Sequence, residues 1–132
     1  MIAKNNIFNI RATGTKWQGQ TGTKRGFVEF ESQEKAIRAW LILMRTYRRK
    51  HGCKTIRTIV TRFAPPQDNN DTALYIRQME EWTGVLEADE RLFGCFDYCL
   101  LAVAMALKET GTRIFTNDVD SVMNKYQIYP WE

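Results

Sequence analysis

From Leu92 to Leu107 the sequence is apolar in nearly every direction a helix can present, interrupted only by Gly94 and Asp97. A helix apolar on every side has to be surrounded by protein, so the rest of the chain must wrap it. The longest uninterrupted apolar run, Leu100 to Leu107, is far short of the ~20 residues a helix needs to cross a bilayer. The segment is therefore expected as a buried central helix over about 90–109, stopped by Gly111, and no membrane span is expected. At 132 residues the chain fits a single domain, 1–132, able to close one core.

The expected wrap is helical. Ser32 opens a helix with Glu34 in its first turn, and Ala36, Ile37, Trp40, Leu41, Leu43, Met44 and Tyr47 recur at helical spacing until Gly52 ends it. Thr55 caps a helix with Ile56, Ile59, Val60 and Phe63 on one face, which must stop before Pro65. Asp71 or Thr72 caps a third, with Tyr75, Met79 and Trp82 on one side, closed by Gly84. A last short helix runs from Asn117 or Asp118 to Tyr126. Residues 4–30 are irregular and strand-prone, and Phe27-Val28-Glu29-Phe30 reads as a short strand. The fold class expected is mostly α (α+β), about five helices with a small N-terminal β element.

The net charge of +4 favours polyanions without diagnosing one. Arg45, Arg48, Arg49, Lys50 and His51 are the densest basic cluster, and they read either as a helix end whose dipole favours cations or as an anion-binding patch. No zinc finger, recognition-helix turn or RNA-binding aromatic signature accompanies them, so nucleic acid is not an expected partner. Three cysteines argue against a closed disulfide set. Cys95 and Cys99 have only His51 and Cys53 to complete a zinc site, at a spacing unlike the usual ones. No metal and no cofactor are expected. With His51 the sole histidine, a His-dependent triad is not expected either. No cationic stretch followed by an apolar run opens the sequence, so no signal peptide is expected.

Two stretches carry a resemblance. Asn5-Asn6-Ile7-Phe8-Asn9-Ile10-Arg11 is followed by Trp17, Gly19 and then Phe27-Val28-Glu29-Phe30-Glu31-Ser32. This resembles the lysozyme-like peptidoglycan-cleaving superfamily. Its phage virion-associated lytic transglycosylase-like members carry Asn-Asn-Pro-Gly-Asn-Ile-Arg, Trp-x-Gly and a Phe-x-x-Phe-x-Ser strand. Its flagellar and autolysin endo-N-acetylglucosaminidases carry Asn-Asn-Leu-Phe-Gly-Ile-Lys before a Phe-x-x-Tyr-x-Ser strand. Ile7-Phe8 stands where the phage type has Pro-Gly. The likeness continues through Ala36–Ala39, Thr55-Ile56, Arg62–Pro65, Asn70, Thr72 and Tyr75, covering about residues 5–85.

The resemblance implies a lysozyme-like fold and a catalytic glutamate at the end of a buried helix, normally upstream of the Asn-Asn segment. Here four residues precede Asn5, whereas Glu109-Thr110-Gly111 ends the buried helix late in the chain. Circular permutation is one reconciliation. A carboxyl at the edge of an apolar helix, facing the negative end of the helix dipole, has its pKa raised toward the range a general acid needs. Glu109 is thus the candidate catalytic residue, although an ordinary last-turn glutamate has the same sequence appearance. Asn5, Asn9, Arg11, Trp17, Glu29, Glu31 and Tyr75 are the candidate substrate-binding residues. Asp97 reads as a structural charge needing a partner, such as an Arg.

The function expected is a peptidoglycan-active domain, glycosidase or lytic transglycosylase, of phage origin. The alternative is a catalytically inactive virion structural or cell-wall-binding module of the same fold. Expected partners are peptidoglycan glycan strands and other virion proteins, and the expected location is the phage virion, or the bacterial cytoplasm before release.

Overall fold

The computed structural model describes residues 2–132. Strands β1 (Gln20–Lys24) and β2 (Phe27–Phe30) pair antiparallel around a tight turn. The free edge of β2 is met by the segment before the hairpin: the Val28 amide donates to the Ile10 carbonyl at 3.1 Å and the Phe30 amide to the Lys4 carbonyl at 2.9 Å. Asn6 completes this irregular third edge. It is fully buried, donating to the carbonyls of Ile10 and Val28 and accepting from the Ile10 amide, all at 2.8–2.9 Å. Its amide side chain acts there as an extra peptide group, so the buried polar atoms stay satisfied. A side chain at Gly19, whose φ is +84°, would collide with the aliphatic stem of Lys35.

Five helices follow, and four of them begin or end where the capping chemistry expects. Helix α1 (Gln33–His51) starts with the Ser32 hydroxyl accepting from the Lys35 amide, and α2 (Ile56–Phe63) with a reciprocal Thr55–Thr58 box. Pro66–Asp68 forms a 3-10 turn, and α3 (Thr72–Thr83) starts with Asp71 accepting from the Leu74 amide at 3.0 Å. Helix α5 spans Thr116–Tyr126. The fold is mostly helical, with a small N-terminal β element, as expected.

The central apolar helix differs from the expectation at its start. Helix α4 spans Cys95–Thr110, not about 90–109. The preceding residues are committed elsewhere: Leu92 donates to the Lys54 carbonyl at 2.8 Å, Arg57 to the Ala88 carbonyl at 3.0 Å, and Thr55 bridges Arg91. This tertiary pairing outcompetes helix extension. Helix α4 packs against α3 and α5, α1 against α5 and β2, and α2 against α3. The buried side chains, from Phe8 and Trp40 to Leu101 and Met105, form one cluster. The burial of α4 runs from Tyr98 to Ala106, whereas Phe93 and Phe96 before and within its first turn are 72% and 68% exposed. Apolarity all round therefore overstates how far the wrap extends.

Asp97 also differs from its expected pairing with an arginine: it accepts from the Phe93 amide at 2.8 Å. That places a carboxylate at the positive end of the helix dipole. Among the described residues no helix is long and apolar enough to cross a membrane.

Candidate functional site

The end of α4 is where the chain's two extremes meet. Asn9 and Glu109 are 100 residues apart in sequence, yet the Asn9 side-chain amide donates to both the Glu109 main-chain carbonyl (3.0 Å) and its Oε1 (3.2 Å). At the next residue, the Thr110 hydroxyl donates to the Ile7 carbonyl at 2.9 Å and contacts the Thr112 hydroxyl at 2.6 Å. Asn9 holds φ at +52°, in the left-handed region that asparagine tolerates better than most residues. The same residue turns the N-terminal segment and supplies a donor to the otherwise unsatisfied carbonyls of a helix C-terminus.

These contacts form one wall of a cleft of about 290 Å³. Glu109, Asn9 and Arg11 line it together with Trp17, Phe27 and Asn70. Burial raises the pKa of Glu109; the Tyr75 hydroxyl, the Asn9 amide, and the Lys108 and Arg11 charges oppose the rise without cancelling it. Tyr75 is buried behind the acid, its own pKa raised by desolvation and by the carboxylate, and the two do not meet in good hydrogen-bonding geometry. Lys108 lies 5.5 Å from the Tyr75 ring centre. The arrangement can keep a carboxyl protonated at a higher pH than an exposed glutamate would, beside open space and beside a fixed amide donor. That is the state a general acid requires.

The structure brings together some of the sequence candidates and separates others. Asn9, Arg11, Trp17 and Glu109 share the cleft. Arg11 is exposed and lies 5.3 Å from the centre of the Phe27 ring, which it bridges through the main chain. Trp17 is half-buried, and its indole Nε1 has no hydrogen-bond partner among the described residues. Asn5 does not line the cleft; it donates to the Phe30 carbonyl at 3.0 Å and holds φ at +58°, a structural assignment. Glu29 pairs across the hairpin with Gly22, and Glu31 is exposed with its carboxylate 4.0 Å from Lys35 Nζ, so neither lines the cleft. Tyr75 is only 3% exposed and offers no face to a ligand, so it acts on Glu109 from behind.

The cleft residues the sequence did not single out as site residues include Thr13, Phe27, Leu43, Tyr47, Phe63 and Asn70. Leu43, Tyr47 and Phe63 read as core by helical spacing, and Tyr47 is indeed nearly buried, with its pKa pushed up to about 12 by burial. Only Asn70, in a polar loop before a helix cap, carried a local hint. It donates to the Pro65 carbonyl at 3.1 Å, which fixes the loop against the cleft.

No family model matches the sequence. The chain is similar to "Protein P5" of Pseudoalteromonas phage PM2, with 31% identity over 122 residues, covering 89% of this chain and 74% of that protein.

Proposed function

We propose that this chain, which belongs to the family of phage PM2 Protein P5, cleaves the glycan strand of peptidoglycan with Glu109 as its acid. The observation that carries the proposal is the Asn9–Glu109 contact at the buried helix end: an acid with raised pKa, held in a cleft by the Asn-Asn-Ile-Phe-Asn-Ile-Arg segment. The same juxtaposition supports a lysozyme-like fold whose acid-bearing helix follows the Asn-Asn segment in sequence, as a permuted connection would require.

The carboxylate count of the cleft favours one reaction type. A glycosidase that uses water works with two carboxylates, about 5–5.5 Å apart for retention and about 6.5–9.5 Å for inversion. Among the described residues lining the cleft, Glu109 is the sole carboxylate. A lytic transglycosylase needs only one. Glu109 gives its proton to the leaving glycosidic oxygen; a hydroxyl of the same sugar then attacks the anomeric carbon and returns its proton to Glu109. No water is consumed, and the new sugar end is an internal anhydro ring. Arg11, exposed in the cleft lining, is a donor available to the sugar.

The test is digestion of purified peptidoglycan, with mass analysis of the released fragments. Anhydro ends, lighter by one water than hydrolysed ends, are expected from the wild type and absent with Glu109→Gln. Hydrolysed ends would reassign the chain as a glycosidase. Binding to peptidoglycan with no release by either protein would replace the enzyme with a cell-wall-binding module of the virion.

A further inference from the structure

The cleft is not closed on its side. It shares Thr13, Leu43 and Tyr47 with a wider basin of about 840 Å³ that opens between α1 and α2. Leu43 and Pro65 give this basin an apolar wall, and Arg57 and Arg62 stand in its lining. No carboxylate lines the basin among the described residues, and Glu109 is the sole one lining the cleft.

Arg62 is held without being neutralised. Its guanidinium lies 5.6 Å from the centre of the Tyr47 ring, and its Nη2 donates to His51 Nε2 at 2.9 Å. Because a guanidinium cannot accept, His51 must present an unprotonated nitrogen, so both contacts leave the positive charge uncompensated. Arg57, by contrast, is paired with Asp89 at 2.7 Å. Among the described residues neither Arg62 nor Arg11 forms an ion pair. A fixed planar cation beside an apolar wall, sideways from a saccharide-sized cleft, matches a short acidic peptide branching from a sugar. It does not match a neutral polysaccharide, and a linear polyanion would carry its charges along the cleft, not beside it.

We infer that the basin between α1 and α2 binds the peptide stem of the peptidoglycan repeat, with Arg62 taking a stem carboxylate in a bidentate pair. This rests on the peptidoglycan reading above and deepens it: the substrate is stem-bearing glycan, and Arg62 is a specificity-determining residue.

The test measures equilibrium binding of the Glu109→Gln protein, which leaves the glycan uncut. The probes are soluble glycan strands with intact stems, the same strands stripped of peptide by an amidase, and a single-stranded oligonucleotide of similar length. Binding to stem-bearing strands is expected to be about tenfold tighter than to stripped ones, the scale of one charge-assisted pair. Adding Arg62→Gln should remove that preference and leave stripped-strand binding unchanged. Equal binding to both glycans, or equal weakening of both by Arg62→Gln, overturns the stem assignment and leaves the glycan reading intact. Binding to neither glycan overturns both. Oligonucleotide binding as tight as that to stem-bearing strands would make the basin a general anion surface and overturn the assignment. Arg62 is exposed, so an unchanged melting temperature is expected and checks that the variant is folded.

Discussion

The two ends of α4 are built from similar residues and do opposite things. At its C-terminal end, Ala102, Ala104, Met105 and Ala106 are buried, and the last turn is tied to Ile7 and Asn9 by side-chain hydrogen bonds. At its N-terminal end Phe93 and Phe96 stand in solvent, the cap residue is Gly94 with no side-chain cap bond, Asp97 accepts from the Phe93 amide, and the Cys95 thiol donates to Asp120 of α5 at 3.1 Å. Apolar composition sets what a helix can bury, whereas the segment that crosses each end decides how it is covered: residues 7–9 close over the C-terminal turn with three side-chain bonds, and a single thiol bond reaches α5 from the N-terminal turn. The acid sits at the C-terminal end.

The largest effect is expected at Glu109 itself. Glu109→Gln keeps the shape and should cost about 10²–10⁴-fold in turnover, the usual contribution of a general acid. Retained anhydro-product release by this variant would remove the C-terminal end's chemical purpose. Next in size are core truncations. Leu101→Ala in the buried stretch should lower stability by about 2–5 kcal/mol, whereas Phe96→Ser in the exposed turn should change it by no more than about 0.5 kcal/mol. Denaturant midpoints compare the two directly, and equal losses would mean that the helix is uniformly buried.

The tie can be tested alone. Asn9→Ala removes both bonds to Glu109 and puts alanine at a positive φ, which should cost about 1–3 kcal/mol. It should also reduce turnover, because the acid loses the donor that orients it. Asn9→Gly relieves the backbone and still lacks the donor, so its stability should recover further than its activity. Equal recovery of both would reduce Asn9 to a turn residue.

A pH measurement sharpens the same point. Because burial raises the Glu109 pKa in the folded protein, protonation is favoured there over the unfolded chain. The stabilisation is complete below the ordinary carboxylate range and is lost as pH rises through the raised pKa. Glu109→Gln should therefore match the wild type in acid and melt higher near neutral pH, by about 1.4 kcal/mol for each unit of pKa elevation. The smallest effect is expected at the partly exposed Glu34, whose pKa is lowered by the Tyr126 hydroxyl and by Lys125. Its contribution is present above the ordinary carboxylate range and fades as pH falls through the lowered value. Glu34→Gln should flatten that acid limb only slightly, as exposed ion pairs contribute little.

What was legible in the sequence followed from local rules. Ser32, Thr55, Asp71, Gly52, Gly84 and Gly111 bound their helices because capping depends on a residue and its near neighbours. The start of α4 was not legible, since residues 88–92 are held by pairing with 54–57, a contact no window along the chain reveals. The site shows the same division. Glu109, Asn9 and Arg11 stood out as a motif and a helix end. The removal of Glu29, Glu31 and Tyr75 from the cleft depends on how the hairpin and α3 face it, and Asn5 and Asn6 turned out to bond strand carbonyls.

The Asn9–Glu109 and Thr110–Ile7 bonds also set a schedule. A ribosome delivers Asn9 early and Glu109 late, and domains assemble as their segments emerge. The cleft wall lacks its acid until the last helices are made, although β2 can already hold the Asn-Asn segment. Only a chain that has grown past α4 can therefore complete the cleft and carry the proposed activity.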